Sequence, residues 1–330
     1  HAGTLHMGGN CPSVRGLVFE MKVNILLSTY NGEQFLAEQI QSIQEQSFQD
    51  WKLLIRDDGS TDKTQEIIAA FVSQDSRIQW VNENESINLG VIKSFHRLVQ
   101  EEQADVYFFS DQDDVWLPNK LEQSLAEANK YPSELPLMVY MDLTVVNQDL
   151  QVLSDSMIRS QSGHANTELV QELTENTVTG GVAMINHALA QLWDQTEDIL
   201  MHDWYLALLA ASFGKLVYID QPGELYRQHE NNVLGARTWS KRIQKWLRPR
   251  LLFRMYWDLI EHSQKQASFL LNMPLSAEKR ELVSAFVTIM DQPMLKRWQL
   301  LRHYGLKKNK AFHTLVFTTL IISKFAYRRK

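Results

Sequence analysis

Three carboxylates stand within four positions at Asp111, Asp113 and Asp114, interrupted by Gln112 and followed by Val115-Trp116. Carboxylates this close repel one another, and they persist most readily where a hard cation neutralises them. Mg²⁺ or Mn²⁺ bound by one or two carboxylates plus substrate phosphates is the chemistry that fits. The competing reading is a solvated acidic turn. A second acidic run, Asp57-Asp58-Gly59-Ser60, can either accept hydrogen bonds from a base or ribose, or form a turn that caps a helix. A third candidate is His202-Asp203-Trp204 at the head of an apolar stretch, where Asp203 is either a reactive carboxylate or one stabilised by a helix dipole.

The elements around these clusters put them at strand ends. Residues 22–29 (KVNILLST) read as a buried strand opening into Tyr30-Asn31-Gly32-Glu33, and Leu36, Ile40 and Ile43 then recur at helical spacing. Residues 51–56 (WKLLIR) form a second strand closed by Asp57-Asp58, and a helix with Ile67, Ile68 and Phe71 inside follows. A third strand at 78–82 leads to Asn88-Leu89-Gly90 and another helix, and a fourth at 106–110 runs into Asp111. Strands alternating with helices predict an α/β fold, a mostly parallel sheet with helices on both faces, whose ligands bind beyond the carboxyl ends of the strands. Further on, helices are expected at 118–130, after His187 and at 201–213, with apolar strands at 137–141 and 182–185 after Gly180-Gly181. Neither G-x-G-x-x-G after the first strand nor G-x-x-x-x-G-K-[ST] occurs, which disfavours a dinucleotide dehydrogenase or a P-loop enzyme.

The net charge of -6 conceals an asymmetry: from Arg237 onward there are 20 Lys and Arg against 5 Asp and Glu, leaving 13 against 34 upstream. Strands stop there, and the tail is expected to be helical, broken near Pro249, Pro274, Pro293 and Gly305. Basic residues interleaved with Trp246, Leu247, Phe253, Tyr256 and Trp257, and the apolar run 311–323 ahead of Arg328-Arg329-Lys330, suit a helix lying on an anionic membrane surface; packing on the body or in a homo-oligomer is the alternative. No recognisable nucleic-acid module accompanies the charge, so no nucleic acid is expected as a partner. The run 311–323 is too short to span a bilayer. Residues 1–20, with the single Cys11, show no periodicity and are set aside as a tag or leader. The protein is expected to be cytoplasmic, peripheral on the inner face of the cell membrane.

Taken in order, Ser28-Thr29-Tyr30-Asn31, Asp57-Asp58-Gly59-Ser60, Asn88-Leu89-Gly90, Asp111-Gln112-Asp113, His202-Asp203-Trp204 and Tyr226-Arg227-Gln228-His229-Glu230-Asn231-Asn232 resemble the GT-A glycosyltransferases of family 2. Each is weak alone; six in the family's order are specific. The resemblance spans 22–235. The stretch 110–121 with its D-x-D-D-x-W-x-P-x-K-L pattern, His202-Asp203-Trp204 and the Tyr226 motif are similar to bacterial, streptococcal-type rhamnosyltransferases of rhamnose cell-wall polysaccharide synthesis.

What the resemblance implies is a GT-A catalytic domain at 21–236, Rossmann-like, and a basic helical extension at 237–330 for membrane association or oligomerisation. It implies an inverting, metal-dependent transferase moving L-rhamnose from dTDP-β-L-rhamnose to a lipid-linked glycan acceptor. Asp203 would be the catalytic base. Thr29, Tyr30, Asn31, Glu33, Asp57, Asp58, Asn88, Lys93, Asp111 and Gln112 would hold the nucleotide-sugar, and Asp113 and His229 the Mg²⁺ or Mn²⁺. Trp116, His202 and Trp204 would touch acceptor or sugar, with core packing the alternative for the tryptophans. Competing functions are a catalytically inactive scaffold of a polysaccharide assembly, a transferase using another UDP- or GDP-sugar, and nucleotidyl transfer.

Overall fold

The computed structural model describes residues 21–228 and 249–327. The expected leader and His229 lie outside the described residues, as does the first part of the basic tail. β1 (Val23–Thr29) has apolar side chains on both faces and sits inside the sheet, paired in parallel with β2 (Trp51–Asp57) on one side and β4 (Val106–Ser110) on the other. β3 (Ile78–Trp80) extends the parallel run beyond β2. Three helices make the crossovers: α1 (Leu36–Gln44), α2 (Thr64–Gln74) and α3 (Val91–Glu101). Register aligns Thr29 with Asp57 and Leu27 with Ser110, so all three polar clusters emerge at one edge of the sheet.

Past β4 the sheet is no longer parallel throughout. Its order is β3-β2-β1-β4-β8-β6-β9-β5, with β7 (Val152–Ser154) on β6. β8 (Ala183–Asn186) runs antiparallel to both β4 and β6 (Leu137–Val146), while β6 and β9 (Lys215–Arg227) are parallel and β5 (Val115–Trp116) closes the edge antiparallel to β9. The mostly parallel expectation therefore holds for the first half and becomes a mixed sheet in the second. The reversal brings Gly180–Val182, a 3₁₀ turn just before β8, to the same edge as the acidic clusters.

β9 is the element that periodicity hides. Asp220-Gln221-Pro222-Gly223 reads as a turn, yet the strand continues through it. Met141 pairs with Ile219 and Asp142 with Pro222, so the extra residues on β9 form a bulge that tolerates a proline with no N–H to donate.

Alternation along β1 splits the core. Ile25 and Leu27 face a cluster with α1, β2 and α4 (Lys120–Ala128), while Leu26 faces α3, α5 (Leu169–Thr174) and α7 (His202–Phe213). Four tail helices, α8 (Pro249–Leu270), α9 (Ala277–Thr288), α10 (Met294–Tyr304) and α11 (Ala311–Ser323), belong to this second cluster through Trp257, Phe286, Leu301 and Phe317. α7 is consequently buried nearly all round, and its residues show no polar face. Lys308 Nζ donates to the Thr174 carbonyl, Asn309 N donates to Glu175 Oε2 at 2.8 Å, and Trp257 Nε1 donates to the Phe325 carbonyl at 2.9 Å. The expected breaks recur at Pro274, in the loop between α8 and α9, at Pro293, just before α10, and at Gly305, which at φ 68° ends α10 in the left-handed region; the one expected near Pro249 adjoins residues outside the described ones. Among the described residues no helix is long and apolar enough to cross a membrane. A short helix, α6 (His187–Ala190), follows β8.

The tail is thus part of the core. Phe317→Ala, which empties a site 2 % exposed, is expected to lower the unfolding free energy by about 3–5 kcal/mol, read by chemical denaturation.

Candidate active site

A cavity of about 700 Å³ opens beyond the carboxyl ends of β1, β2 and β4, with the N-terminus of α7 on its wall. Its rim is built by loops stapled to one another. Gln112 Oε1 accepts from Tyr30 N at 2.8 Å and its Nε2 donates to the Tyr30 carbonyl at 2.9 Å, which ties the loop after β1 to the loop after β4. Gly32 is needed beneath this clasp, because a Cβ there would lie 2.4 Å from Gln112 Oε1. Asn31, at φ 48°, takes Thr61 N on its Oδ1 at 2.8 Å and donates its own N–H to Ser60 Oγ, joining the loops after β1 and β2.

The two carboxylates that end β2 have different tasks. Asp57 is 1 % exposed and accepts from Thr29 Oγ1, Ser60 N, Ser60 Oγ and Gln65 Nε2 at 2.6–2.9 Å, behind the cavity wall. Asp58 lines the cavity and accepts from Leu89 N at 2.7 Å, Gly90 N at 2.8 Å and Ser94 Oγ at 3.0 Å. The buried Arg56 guanidinium also pairs with Asp58, donates to the Ile87 carbonyl, and so fixes the Asn88-Leu89-Gly90 turn at the start of α3. A buried ion pair holds its shape where its remaining lone pairs are satisfied, as here.

Asp111 and Asp113 line the floor, half-buried; Asp114 turns into the protein. Desolvation, then the charges of Asp113, Glu224 and Asp203, push Asp111 up to about 8. Desolvation and the neighbouring Glu224 raise Asp114 well above the usual carboxylate range. Arg227, at the end of β9, shapes the turn: its N–H donates to Asp114 Oδ1 at 2.9 Å and its Nε to the Asp113 carbonyl at 3.0 Å. Lys120 and Glu224 form a buried ion pair at 3.1 Å close by.

Asp203 stands in the first turn of α7, 4 % exposed, and it reaches the cavity. Gly180 N donates to its Oδ2 at 3.0 Å and Trp204 N to its Oδ1 at 2.6 Å. Desolvation outweighs these bonds and raises the carboxyl to about 6. That value lets it ionise near neutrality and take up a proton, as a general base must. His202 also lines the cavity, packed against Phe95, Phe109 and Trp193, and burial holds its ring neutral with a pKa of about 3. Neither ring nitrogen has a hydrogen-bond partner among the described residues.

The cavity therefore gathers Thr29, Tyr30, Asn31, Asp58, Asn88, Asp111, Gln112, Asp113, His202 and Asp203 of the residues expected from sequence. Five others stand off it. Asp57 is a loop fastener, Glu33 accepts from Lys63 N on a separate surface groove, and Lys93 pairs with Glu197 near the surface. For both tryptophans core packing is what the structure shows: Trp204 Nε1 donates to the Glu172 carbonyl at 2.7 Å, and Trp116 is covered by the Lys120 ammonium 3.6 Å from its ring centre. His229 lies outside the described residues. Among those described, no group of three His, Cys, Asp or Glu is arranged to hold a metal by itself. Sequence reading assigned no role to Gly180, Arg227, Lys120 or Glu224. Gly180-Gly181, Arg227 and, as the K of the 110–121 pattern, Lys120 stood in noted motifs, but Glu224 carries no local signal and lies over a hundred positions from Lys120.

An α/β sheet whose strand ends present paired carboxylates across a cavity from a helix-borne carboxylate is a GT-A arrangement. Staphylococcus aureus TarS 1-349 in complex with UDP-GlcNAc has this fold, with a TM-score of 0.58 over 86 % of this chain and 80 % of that one at 16 % identity. The mannosyltransferase PcManGT of Pyrobaculum calidifontis, in complex with GDP-Man and Mn²⁺, is similar over 87 % of this chain and 74 % of that one, with a TM-score of 0.53 and 12 % identity. The model of glycosyl transferase family 2 matches residues 24–192, and the chain is 33 % identical to the dTDP-rhamnosyl transferase RfbG of Shigella flexneri over 64 % of its own length and 74 % of that relative. The chain belongs to glycosyl transferase family 2.

The raised carboxyl of Asp203 sets a pH dependence. Below that pKa the carboxyl is protonated; with Asp203 as the base, turnover is expected to fall as pH drops through about 6, and Asp203→Asn is expected to leave a residual rate without that limb. A pH–rate profile of nucleoside diphosphate release checks both.

Proposed function

We propose that this glycosyltransferase inverts configuration as it transfers L-rhamnose from dTDP-β-L-rhamnose to a lipid-linked precursor of a cell-wall polysaccharide. The observation that carries this reading is one cavity lined both by Asp111 and Asp113 and by the buried Asp203. The identity to a dTDP-rhamnosyl transferase supports the donor.

In the proposed reaction the acceptor hydroxyl is held against Asp203. As its oxygen bonds to the sugar's anomeric carbon, its proton passes to the Asp203 carboxylate. The bond from that carbon to the diphosphate oxygen breaks, and the electron pair leaves with the nucleoside diphosphate. A carboxylate suits this task, as it does in inverting glycosidases acting on water. Thr29, Tyr30 and Asn31, with Asp58 and Asn88 across the cavity, line the space for the nucleoside, and the neutral His202 backs the cavity wall beside Asp203.

Asp111 and Asp113 fit a divalent cation by their donor set: two half-buried carboxylates with hard oxygens, leaving the remaining positions to diphosphate oxygens. Mg²⁺ or Mn²⁺ held there would supply positive charge to the departing diphosphate.

The catalytic unit is assigned to 21–236 and membrane association to the tail. Support for the latter comes from α10 and α11, which expose Met294, Leu295, Trp298, Phe312 and Leu315 beside Lys296 and Arg302. Apolar side chains flanked by cations suit an anionic bilayer surface on the cytoplasmic side.

The deciding experiment is nucleoside diphosphate release from UDP-, GDP- and dTDP-sugars with Mg²⁺, Mn²⁺ or EDTA and a lipid-linked acceptor extract. Release from dTDP-rhamnose that EDTA stops, with rhamnose on the acceptor, is expected; release from another donor alone would overturn the rhamnose assignment. Asp113→Asn is expected to abolish metal-dependent turnover in the same assay. In co-sedimentation with phosphatidylglycerol vesicles, Leu295→Glu/Leu315→Glu is expected to bind at least about tenfold more weakly, since each buried side chain contributes some 1.5–3 kcal/mol; unchanged binding would place the lipid contact elsewhere.

A further inference from the structure

Lys120 and Glu224 lie outside the cavity wall, yet they hold one of its parts. Both side chains are at most 1 % exposed. Lys120, the first residue of α4, sends its ammonium to three places: Glu224 Oε2 at 3.1 Å, the Gly181 carbonyl oxygen, and the face of Trp116. Glu224, on β9, packs against the same glycine. A Cβ at Gly181 would lie 2.7 Å from Glu224 Oε1 and 2.9 Å from Oε2. The 3₁₀ turn Gly180–Val182 is thereby pinned by the ion pair at Gly181.

The neighbouring residue faces the chemistry. Gly180 N donates to Asp203 Oδ2 at 3.0 Å, and a Cβ on Gly180 would meet His202 Nε2 at 3.0 Å. Two adjacent glycines thus lie between a buried ion pair and the cavity's helix-borne carboxylate, and a methyl on either would press on a neighbouring side chain. We propose that the Lys120–Glu224 pair is a positioning device for Asp203, fixing the Gly181 carbonyl so that the Gly180 N–H stays on the Asp203 carboxylate and holds it at the cavity. This rests on the reading of Asp203 as the base. The cost of burying an ion pair is large, and a pair kept here only for stability could be replaced by apolar groups with little loss. Orientation of a reacting group is where small displacements matter: a shift of about 1 Å can cost about 10²-fold in rate.

The test removes both charges together, so that the net charge beside Asp111 and Asp114 is unchanged. Lys120→Met/Glu224→Gln is compared with wild type for thermal unfolding, for calorimetric binding of dTDP with Mg²⁺, and for the pH dependence of donor turnover. Expected are dTDP affinity within about threefold of wild type, kcat lower by about tenfold or more, and an acid limb moved to higher pH, because the N–H that favours ionised Asp203 is no longer held. Gly181→Ala leaves both charges in place and pushes Glu224 aside; it is expected to move kcat and the limb the same way, and it serves as the readout should the double variant not fold. Wild-type kcat and pH profile in a folded variant would overturn the proposal, as would parallel losses of dTDP binding and kcat, which mark a general distortion of the cavity. Asp203→Asn is run alongside. Full activity of that variant would remove the base itself and the device with it, whereas an inactive Asp203→Asn beside an unaltered Lys120→Met/Glu224→Gln would overturn the positioning role alone.

Discussion

Asp111, Asp113, Asp114, Asp203 and Glu224 concentrate negative charge at one end of the sheet, with Asp114, Asp203 and Glu224 buried and Asp111 and Asp113 half-buried, so that water screens it only in part. Like charges in a low dielectric either take up protons or acquire a cation, and the raised carboxyls of Asp111 and Asp114 express that pressure. Lys120 is the buried ammonium that Glu224, Asp114 and Asp111 all act on. The neighbouring elements are arranged around this charge. β9 delivers Glu224 and Arg227, α4 starts with Lys120, and the reversal into β8 brings Gly180 between the floor and α7.

A site of this kind needs loops that do not yield when a charged ligand enters. The loops after β1, β2 and β4 are cross-linked by Gln112 on the Tyr30 backbone, by Asn31 on Thr61, and by Asp58 on the Leu89 and Gly90 N–H groups. Each uses a side chain to satisfy backbone groups that the strands leave unpaired, so rigidity and hydrogen-bond satisfaction are reached by the same contacts. Asp203 is set instead on a helix buried nearly all round, where packing on every side keeps the first turn in place.

That burial depends on the tail. α7 presents apolar residues to both sides, and the sheet covers only one; Trp257, Ala267, Leu270 and Phe286 of the tail complete the core with it. The basic extension therefore has a structural task on its inner face, while Met294, Leu295 and Trp298 remain outward. Of the alternatives drawn from sequence for the tail, packing on the body is seen on the inner face; the outward apolar side chains are the ones that contact with a membrane surface would use.

Much of the fold's first half was legible in the chain because its strands are continuous apolar runs and its polar clusters are local: Asp57-Asp58, Asn88-Gly90 and Asp111-Asp113 each follow a strand directly. Helix breaks at Pro293 and Gly305 were legible for the same reason, since proline and glycine act through their own backbone. Local pattern could not decide which polar residue faces the ligand. Asp57 and Asp58 are adjacent and chemically alike, yet strand alternation and the loops above them put one behind the wall and the other on it. Trp116 and Trp204 sit within site motifs but went to the core once β5 paired with β9 and α7 packed on α5. β9 itself was hidden by Pro222-Gly223, because only the bulged partner strand makes a proline acceptable there. The meeting of Lys120, Gly181 and Glu224 was decided by tertiary structure alone: a buried ion pair between distant positions has no periodicity, and only the closed sheet brings its partners within reach.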